Sequence, residues 1–287
     1  MMRLVVVLLS TLPLFGQLPS TTTRPASAPA EQELPTDDVG ATALLTKAAK
    51  RQIAGDAPFS IADFQADLEA TIYENDRETG TPVARSAHVT QFFRIAADGT
   101  TTYRSDRFEA LTKKQVTRAF DGKSHWMRLG KEPARELLNR EDREDRQANV
   151  REIVRTKDLV ATLVLRDLLA EGARRRPLGR REFTAAGKSV VAEGVSVHRK
   201  AQPRIDVWIG VDDASLVAMQ RTRAEGPSEM LVMSMHRPLP LGAHVLSMPQ
   251  VIEAFENDRL VLEVRASGAT AIKVNTGIED RVFALPR

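Results

Sequence analysis

The sequence predicts a mainly β protein of the α+β class, built on a large antiparallel sheet. Three observations predict it. Long runs alternate apolar and polar residues, as in Phe64, Ala66, Leu68, Ala70 and Ile72 against Gln65, Asp67, Glu69, Thr71 and Tyr73, and a period of two is the mark of a half-buried strand. Turn signals recur at short spacing through both halves, giving roughly 10–11 strands, enough to curl into a barrel or part of one. No helix alternates regularly with the strands, which argues against a parallel α/β sheet.

At the start, Arg3 is followed by an apolar run from Leu4 to Gly16 broken only by Ser10, Thr11 and Pro13. That is the pattern of a signal-peptide core, and at about 13 residues it is shorter than the ~20 needed to span a bilayer. Cleavage is expected after Gly16 or after Ala30; spacing favours the first and residue type the second. Residues 1–30 are therefore read as an export leader rich in Pro, Ser, Thr and Ala, and 36–287 as one domain. The chain contains no cysteine, so an exported product relies on its core rather than on disulfides. It also lacks the thiol that lipid anchoring at a lipobox requires. The formal charge is +3, and loss of Arg3 and Arg24 with the leader leaves 39 basic against 38 acidic residues. No nucleic-acid footprint is expected from such a balance.

Thr36 to Ala54 reads as a helix, with Leu44, Leu45 and Ala48 on one stripe, Asp37 or Asp38 near its start, Gly55 available as a stop and Pro58 ending it. Phe64 to Tyr73 follows as a strand. After a turn-rich stretch from Asn75 to Pro82, Val83, Ala87, Val89, Phe93 and Ile95 share a face. Asp98-Gly99 leads into Thr100–Arg107, and Asp121-Gly122 reads as a two-residue hairpin turn between Val116–Phe120 and Lys123–Leu129. From Lys131 to Asp158 there are eight basic and eight acidic residues. Pairs such as Glu136 with Arg140 and Asp142 with Arg146 predict a solvated helix or helical loop. Leu159, Val160, Leu163, Val164 and Leu168 then form an amphipathic helix, with Asp158 as its cap and Gly172 as its stop. From Arg181 onward strands return, with turns at Gly187-Lys188, Glu193-Gly194, Asp212-Asp213, Gly226-Pro227, Ser267-Gly268 and Thr276-Gly277. Ile205, Val207 and Ile209 alternate, as do Leu260, Leu262 and Val264.

Three local patterns, in this order, carry a resemblance: Ile61-Ala62-Asp63-Phe64-Gln65-Ala66-Asp67-Leu68 after the first helix, Asp121-Gly122-Lys123-Ser124-His125-Trp126 in a hairpin, and the closing Asn275-Thr276-Gly277-Ile278-Glu279-Asp280-Arg281-Val282-Phe283-Ala284-Leu285-Pro286. Over about residues 40 to 286 the chain resembles the outer-membrane lipoprotein carrier (LolA-like) family of periplasmic lipoprotein-sorting proteins. The resemblance implies an incomplete, curved antiparallel β-barrel, a half-barrel whose concave face is covered by helices. It implies a soluble periplasmic carrier, expected as a monomer, that takes acyl chains of lipoproteins or lipids from an inner-membrane releasing complex to an outer-membrane acceptor.

On that reading Phe64, Leu68, Ile72, Val89, Phe93, Trp126, Leu163, Val207 and Ile209 line an acyl-chain cavity. The same alternation equally describes ordinary core packed under a helix, and Trp126 equally describes a structural hairpin residue. Arg94 stands where the family often has an arginine that bonds a helical lid, although Ala96-Ala97-Asp98-Gly99 replaces the family's proline-containing turn. The alternative to Arg94 as a lid or gate residue is a solvated strand arginine. The run Arg174-Arg175-Arg176 either meets anionic groups or complements the C-terminal dipole of the helix before it. His88, His125, His198, His236 and His244 show no zinc spacing, and no nucleophile elbow or phosphate-binding glycine loop is present. No enzyme activity, metal or cofactor is expected. The competing functions are a periplasmic sensor or regulator, or a scaffold, using the same half-barrel for protein contacts.

Overall fold

A computed structural model describes residues 36–55, 59–75, 81–200, 203–222 and 229–286. The expected leader, Pro58, the centre of the Asn75–Pro82 turn and Gly226-Pro227 lie outside the described residues. The first helix, α1 (Val39–Gln52), is opened by Asp38, whose carboxylate accepts from the Ala41 N–H at 2.7 Å, and it leads straight into β1 (Ile53–Ala54). A meander follows: β2 (Asp63–Asn75), β3 (Pro82–Ile95), β4 (Thr101–Glu109), β5 (Lys114–Phe120), β6 (His125–Leu129) and β7 (Arg135–Glu136). Next come α2 (Arg143–Val164), β8 (Arg174–Ala185), β9 (Lys188–His198), β10 (Ile205–Gly210), β11 (Leu216–Arg221) and β12 (Glu229–Ser234). The chain closes with β13 (Arg237–Leu241), β14 (His244–Met248), β15 (Val251–Glu256), β16 (Arg259–Ala266) and β17 (Ile272–Val274).

Fourteen of these strands form one curved sheet that is not closed into a barrel, an open half-barrel. Its order is β7-β6-β5-β4-β3-β2-β16-β15-β12-β11-β10-β9-β8, and every ladder is antiparallel. Strand β2 is long enough to carry β3 on one side and two short strands end to end on the other: β16 along Leu68–Ile72 and β17 along Phe64–Ala66. The chain leaves the sheet at β7 and re-enters at the opposite edge as β8. Helix α2, at 22 residues about 33 Å long, crosses one face to make that connection. This is the inner face.

The period of two decides what meets the helices. Phe64, Ala66, Ala70 and Ile72 of β2 and Ala87, Val89, Gln91 and Phe93 of β3 are buried on the inner face. One large core joins Leu45 and Ala48 of α1 and Leu163 and Val164 of α2 to Phe64, Phe93, Val195, Val207, Ile209 and Leu216. A three-stranded sheet, β1-β14-β13, adds Ile53, Leu246 and Met248 to the same core. The outer face is covered in two places. The tip of the β8–β9 hairpin packs Phe183 against Trp208 at 5.6 Å between ring centroids, while the segment from Asn275 to Phe283 is bonded to β2, β3, β4 and β6.

Several expected boundaries move for identifiable reasons. Asp158 is not a cap: α2 runs unbroken from Arg143 to Val164, ending at Leu165 in the left-handed region (φ 53°) rather than at Leu168. The hairpin at Asp121 has a four-residue loop, since Phe120 pairs with His125 and the Asp121 carboxylate accepts from the N–H groups of Lys123 and Ser124. Glu193-Gly194 is no turn but mid-strand in β9. The glycine is there because Trp208 lies directly over it, an ideal Cβ falling 2.8 Å from the indole nitrogen.

Candidate functional site

Between α2 and the inner face lies a cleft floored by β2, β16, β15 and β12. Cross-strand pairs Ala70–Val264, Val264–Ile252, Leu262–Ala254 and Ala254–Leu231 set its apolar floor. Ala70 and Ala254 occupy inward positions where the alternation elsewhere places larger side chains, and their short side chains leave room under the helix. With its open mouth the cleft measures about 1190 Å³.

The roof is built differently from the floor. Helix α2 presents Glu152, Arg155, Thr156, Asp158 and Leu159 to the cleft, and its charges are tied to the sheet. Arg155 holds Glu229 of β12 through two contacts of 2.9 Å and reaches Glu256 of β15 at 3.8 Å. Asp158 meets Arg221 of β11 at 2.5 Å, and Asp145 meets Arg118 of β5 at 2.9 Å. The Tyr103 hydroxyl donates to Glu152 at 2.8 Å and accepts from the Gln91 amide at 3.2 Å. Burial, reinforced by the Glu152 charge, raises the Tyr103 pKa well above the usual phenol range, so this group acts as a donor at any ordinary pH. Beside it Arg107 is buried opposite Val89, and desolvation lowers its pKa.

Of the side chains expected at an acyl-chain site, Phe64, Leu68 and Val89 line this cleft. Ile72 sits in a small cluster at its edge with Ala87 and Leu262. Phe93, Leu163, Val207 and Ile209 have no exposed surface and belong to the large core. Trp126 and Arg94 are on the other side of the sheet. Strand alternation places Arg94 opposite Asp63 and Thr102, on the face away from Phe93. There it donates to the Ile278 carbonyl at 3.0 Å, pairs with Asp280 and covers the Phe283 ring at 5.2 Å. The Trp126 indole donates to the Phe283 carbonyl at 2.8 Å, and Arg104 donates to the Val282 carbonyl at 3.0 Å. Arg94 thus holds the C-terminal segment rather than α2. Leu231, Ile252, Leu262, Val264, Arg155 and Glu229 are cleft residues that the sequence reading did not single out. The alternation of Leu262 and Val264 was visible, but their pairing with β2, some 190 residues earlier, carries no local signal.

Other constellations are weaker. Ser196, His198 and Asp206 lie together on the outer face. The Ser196 hydroxyl bonds both Asp206 at 2.6 Å and the His198 ring at 3.0 Å, so the carboxylate engages the serine and leaves the imidazole unoriented, unlike a nucleophilic triad. Among the described residues no group of three His, Cys, Asp or Glu side chains is placed to hold a metal, and no helix is long and apolar enough to cross a membrane.

No protein-family model matches the sequence, and no curated protein matches it. Solved structures similar to it include a putative outer membrane lipoprotein-sorting protein domain from Vibrio parahaemolyticus, 10% identical, covering 85% of this chain and 96% of that one with a TM-score of 0.43. A DUF1329 family protein from Desulfovibrio piger is 12% identical, with coverages of 87% and 98% and a TM-score of 0.46. A LolA superfamily protein from Nitrosomonas europaea is 10% identical, with coverages of 85% and 97% and a TM-score of 0.41.

Proposed function

We propose that the protein is a soluble periplasmic carrier that shelters acyl chains of lipids or lipoproteins in the cleft under α2 and moves them towards the outer membrane. The observation that carries this reading is the contrast between floor and roof: a dry, alanine-widened sheet surface, open at one side, under a helix tied down largely by ion pairs. An apolar floor takes up methylene groups at about 0.8 kcal/mol each. Each methylene buried therefore strengthens binding about fourfold. Deeper uptake requires α2 to lift, and separating its buried ion pairs is offset in part because both partners regain the hydration that burial removed. Phe64, Leu68 and Val89 are assigned as chain contacts.

Leu68→Glu and Phe93→Glu test this reading against that of a filled scaffold. Leu68 is only half-buried at the cleft wall, so its glutamate stays hydrated, and the variant is expected to fold and lose a fluorescent fatty-acid probe. Phe93 has 0% exposure, and an unpaired carboxylate there costs several kcal/mol. That variant is expected to unfold. Wild-type protein that binds no probe, and carries no lipid in native mass spectrometry of an envelope-fraction preparation, overturns the carrier reading.

A further inference from the structure

The end of the sheet formed by β8, β9 and β10 carries positive charge that the fold does not consume. Arg175 is the exception. It is buried, donating to the carbonyls of Leu168 at 3.1 Å, Ala170 at 3.0 Å and Ala173 at 3.3 Å, and pairing with Asp37 at 3.1 Å. It thereby satisfies the carbonyl groups that follow α2. Successive strand residues point to opposite faces, so Arg174 and Arg176, on either side of it, turn to solvent. Arg174, Arg176 and Arg180 are all exposed and make no ion pair among the described residues. Arg204 stands at the start of the second strand along, held on Asp206 at 3.0 Å. The strand register sets Arg174 opposite His198 and Arg176 opposite Ser196 on the outer face; it shifts between Pro177 and Gly179, where Leu178 is left 44% exposed, and so sets Arg180 opposite Glu193 on the other face of this edge strand.

We propose that this surface docks the protein onto a phospholipid membrane rich in anionic headgroups. Because β8 is the edge strand, Arg174 and Arg176 on one face and Arg180 on the other straddle the edge over roughly 20 Å, too dispersed to converge on one phosphate and suited to an array of them. The backbone disfavours an added peptide strand: Pro177 has no N–H to offer, the register shift breaks the hydrogen-bonding edge, and arginines on an open edge oppose strand addition. A leucine exposed between arginines fits the boundary between headgroups and acyl chains. Each arginine near an anionic surface adds an attraction that salt screens, so a handful of them gives a contact that forms and releases readily.

The test is co-sedimentation of the full chain with phosphatidylcholine vesicles, with and without phosphatidylglycerol. Binding to the anionic vesicles alone, falling as sodium chloride is raised, is expected. The Arg174→Glu, Arg176→Glu, Arg180→Glu triple variant is expected to bind them about tenfold or more weakly with an unchanged melting temperature, and the corresponding Gln triple variant to shift the same way. Fatty-acid probe binding in the cleft is expected to survive in both variants, which separates this contact from the cleft. Equal binding to both kinds of vesicle, or a triple variant that binds like the wild type, overturns the proposal. So does capture by poly-glutamate without vesicle binding, which assigns the arginines to an acidic protein segment. Selective displacement by inorganic phosphate at matched ionic strength overturns it too, by assigning them to a single-anion site.

Discussion

Replacing Arg155 by methionine is expected to cost about 3–5 kcal/mol, the usual penalty for removing one member of a buried ion cluster. Glu229 and Glu256 are directly opposite each other on β12 and β15, so the sheet itself brings two like charges to a Cβ separation of about 4.5–5.5 Å. Their side chains are 10% and 6% exposed, and that of Arg155 is 14% exposed, so solvent screens the set little. The guanidinium reaches both carboxylates from α2, and methionine keeps the apolar stem while removing the charge. With a urea slope of about 1–3 kcal/mol/M, the unfolding midpoint is expected to fall by more than about 1 M, read by far-UV circular dichroism. Adding Glu229→Gln and Glu256→Gln to the variant is expected to recover most of the loss, because the paired amides no longer repel. An unchanged midpoint for Arg155→Met refutes the electrostatic account. So does a triple variant no more stable than the single one, since the loss then comes from packing.

Arg94→Ala is expected to cost only about 1–2 kcal/mol, since Asp280 is 88% exposed and such a pair is weak. It should also speed carboxypeptidase trimming of the C-terminal segment while leaving probe affinity unchanged; a fall in affinity would return Arg94 to the cleft. Gly194→Val is expected to destabilise by about 1–3 kcal/mol through overpacking against Trp208, measured by thermal denaturation, and an unchanged melting temperature would contradict the close approach of the indole. Burial lowers the pKa of His236, whose ring bonds the Leu216 carbonyl at 2.9 Å, so the folded protein takes up this proton less readily than the unfolded chain. Stability is then fully present above the ordinary histidine value of about 6.5 and falls as pH drops through it towards the lower folded value. Burial lowers His125 and His198 in the same direction. His236→Asn is therefore expected to flatten the acid-side loss in part, and an identical pH–stability curve would reject the assignment.

Where a residue's fate depends on its own strand, the sequence was legible. Phe64 to Ile72 alternate because one face is dry, and the buried apolar residues of β2 and β3 are ones that the period of two selects. Class, antiparallel meander and half-barrel followed from that periodicity and the resemblance together. Facts that depend on a distant partner were not legible. Arg94 and Phe93 are neighbours in sequence, yet a single step of the pleat sends one to the C-terminal segment and the other to the core. Gly194 reads as a turn residue until Trp208, fourteen positions on, is seen to require the missing side chain. Arg175 and Arg176 look alike in the sequence, and only the register of β8 on β9 makes one a buried partner of backbone carbonyls and the other a solvent-facing charge.

Helix α2 shows most clearly why charge patterning underdetermines function. Its mixed charges satisfy the rule for a solvated helix stabilised by pairs along its own surface. Instead, Asp145, Glu152, Arg155 and Asp158 meet Arg118, Tyr103, Glu229 and Arg221 on four different strands. Composition is the same in either arrangement, since a charge balanced along the helix and a charge balanced across a cleft differ only in where the partner sits. The energetic consequence is not the same. A helix sealed to its sheet by leucines loses hydrophobic contact along its whole length when it lifts, whereas one held by ion pairs exchanges each pair for hydration at little net cost once both partners reach water. The apolar end of α2, where Leu163 and Val164 enter the core, stays fixed by the first rule, and the charged stretch above the alanine-widened floor follows the second. The division is graded rather than sharp, since Ile153, Leu159 and Val160 also meet the core and the Asn149 amide donates to the Ala119 carbonyl at 2.8 Å, so lifting the charged stretch costs that packing in addition to the ion pairs.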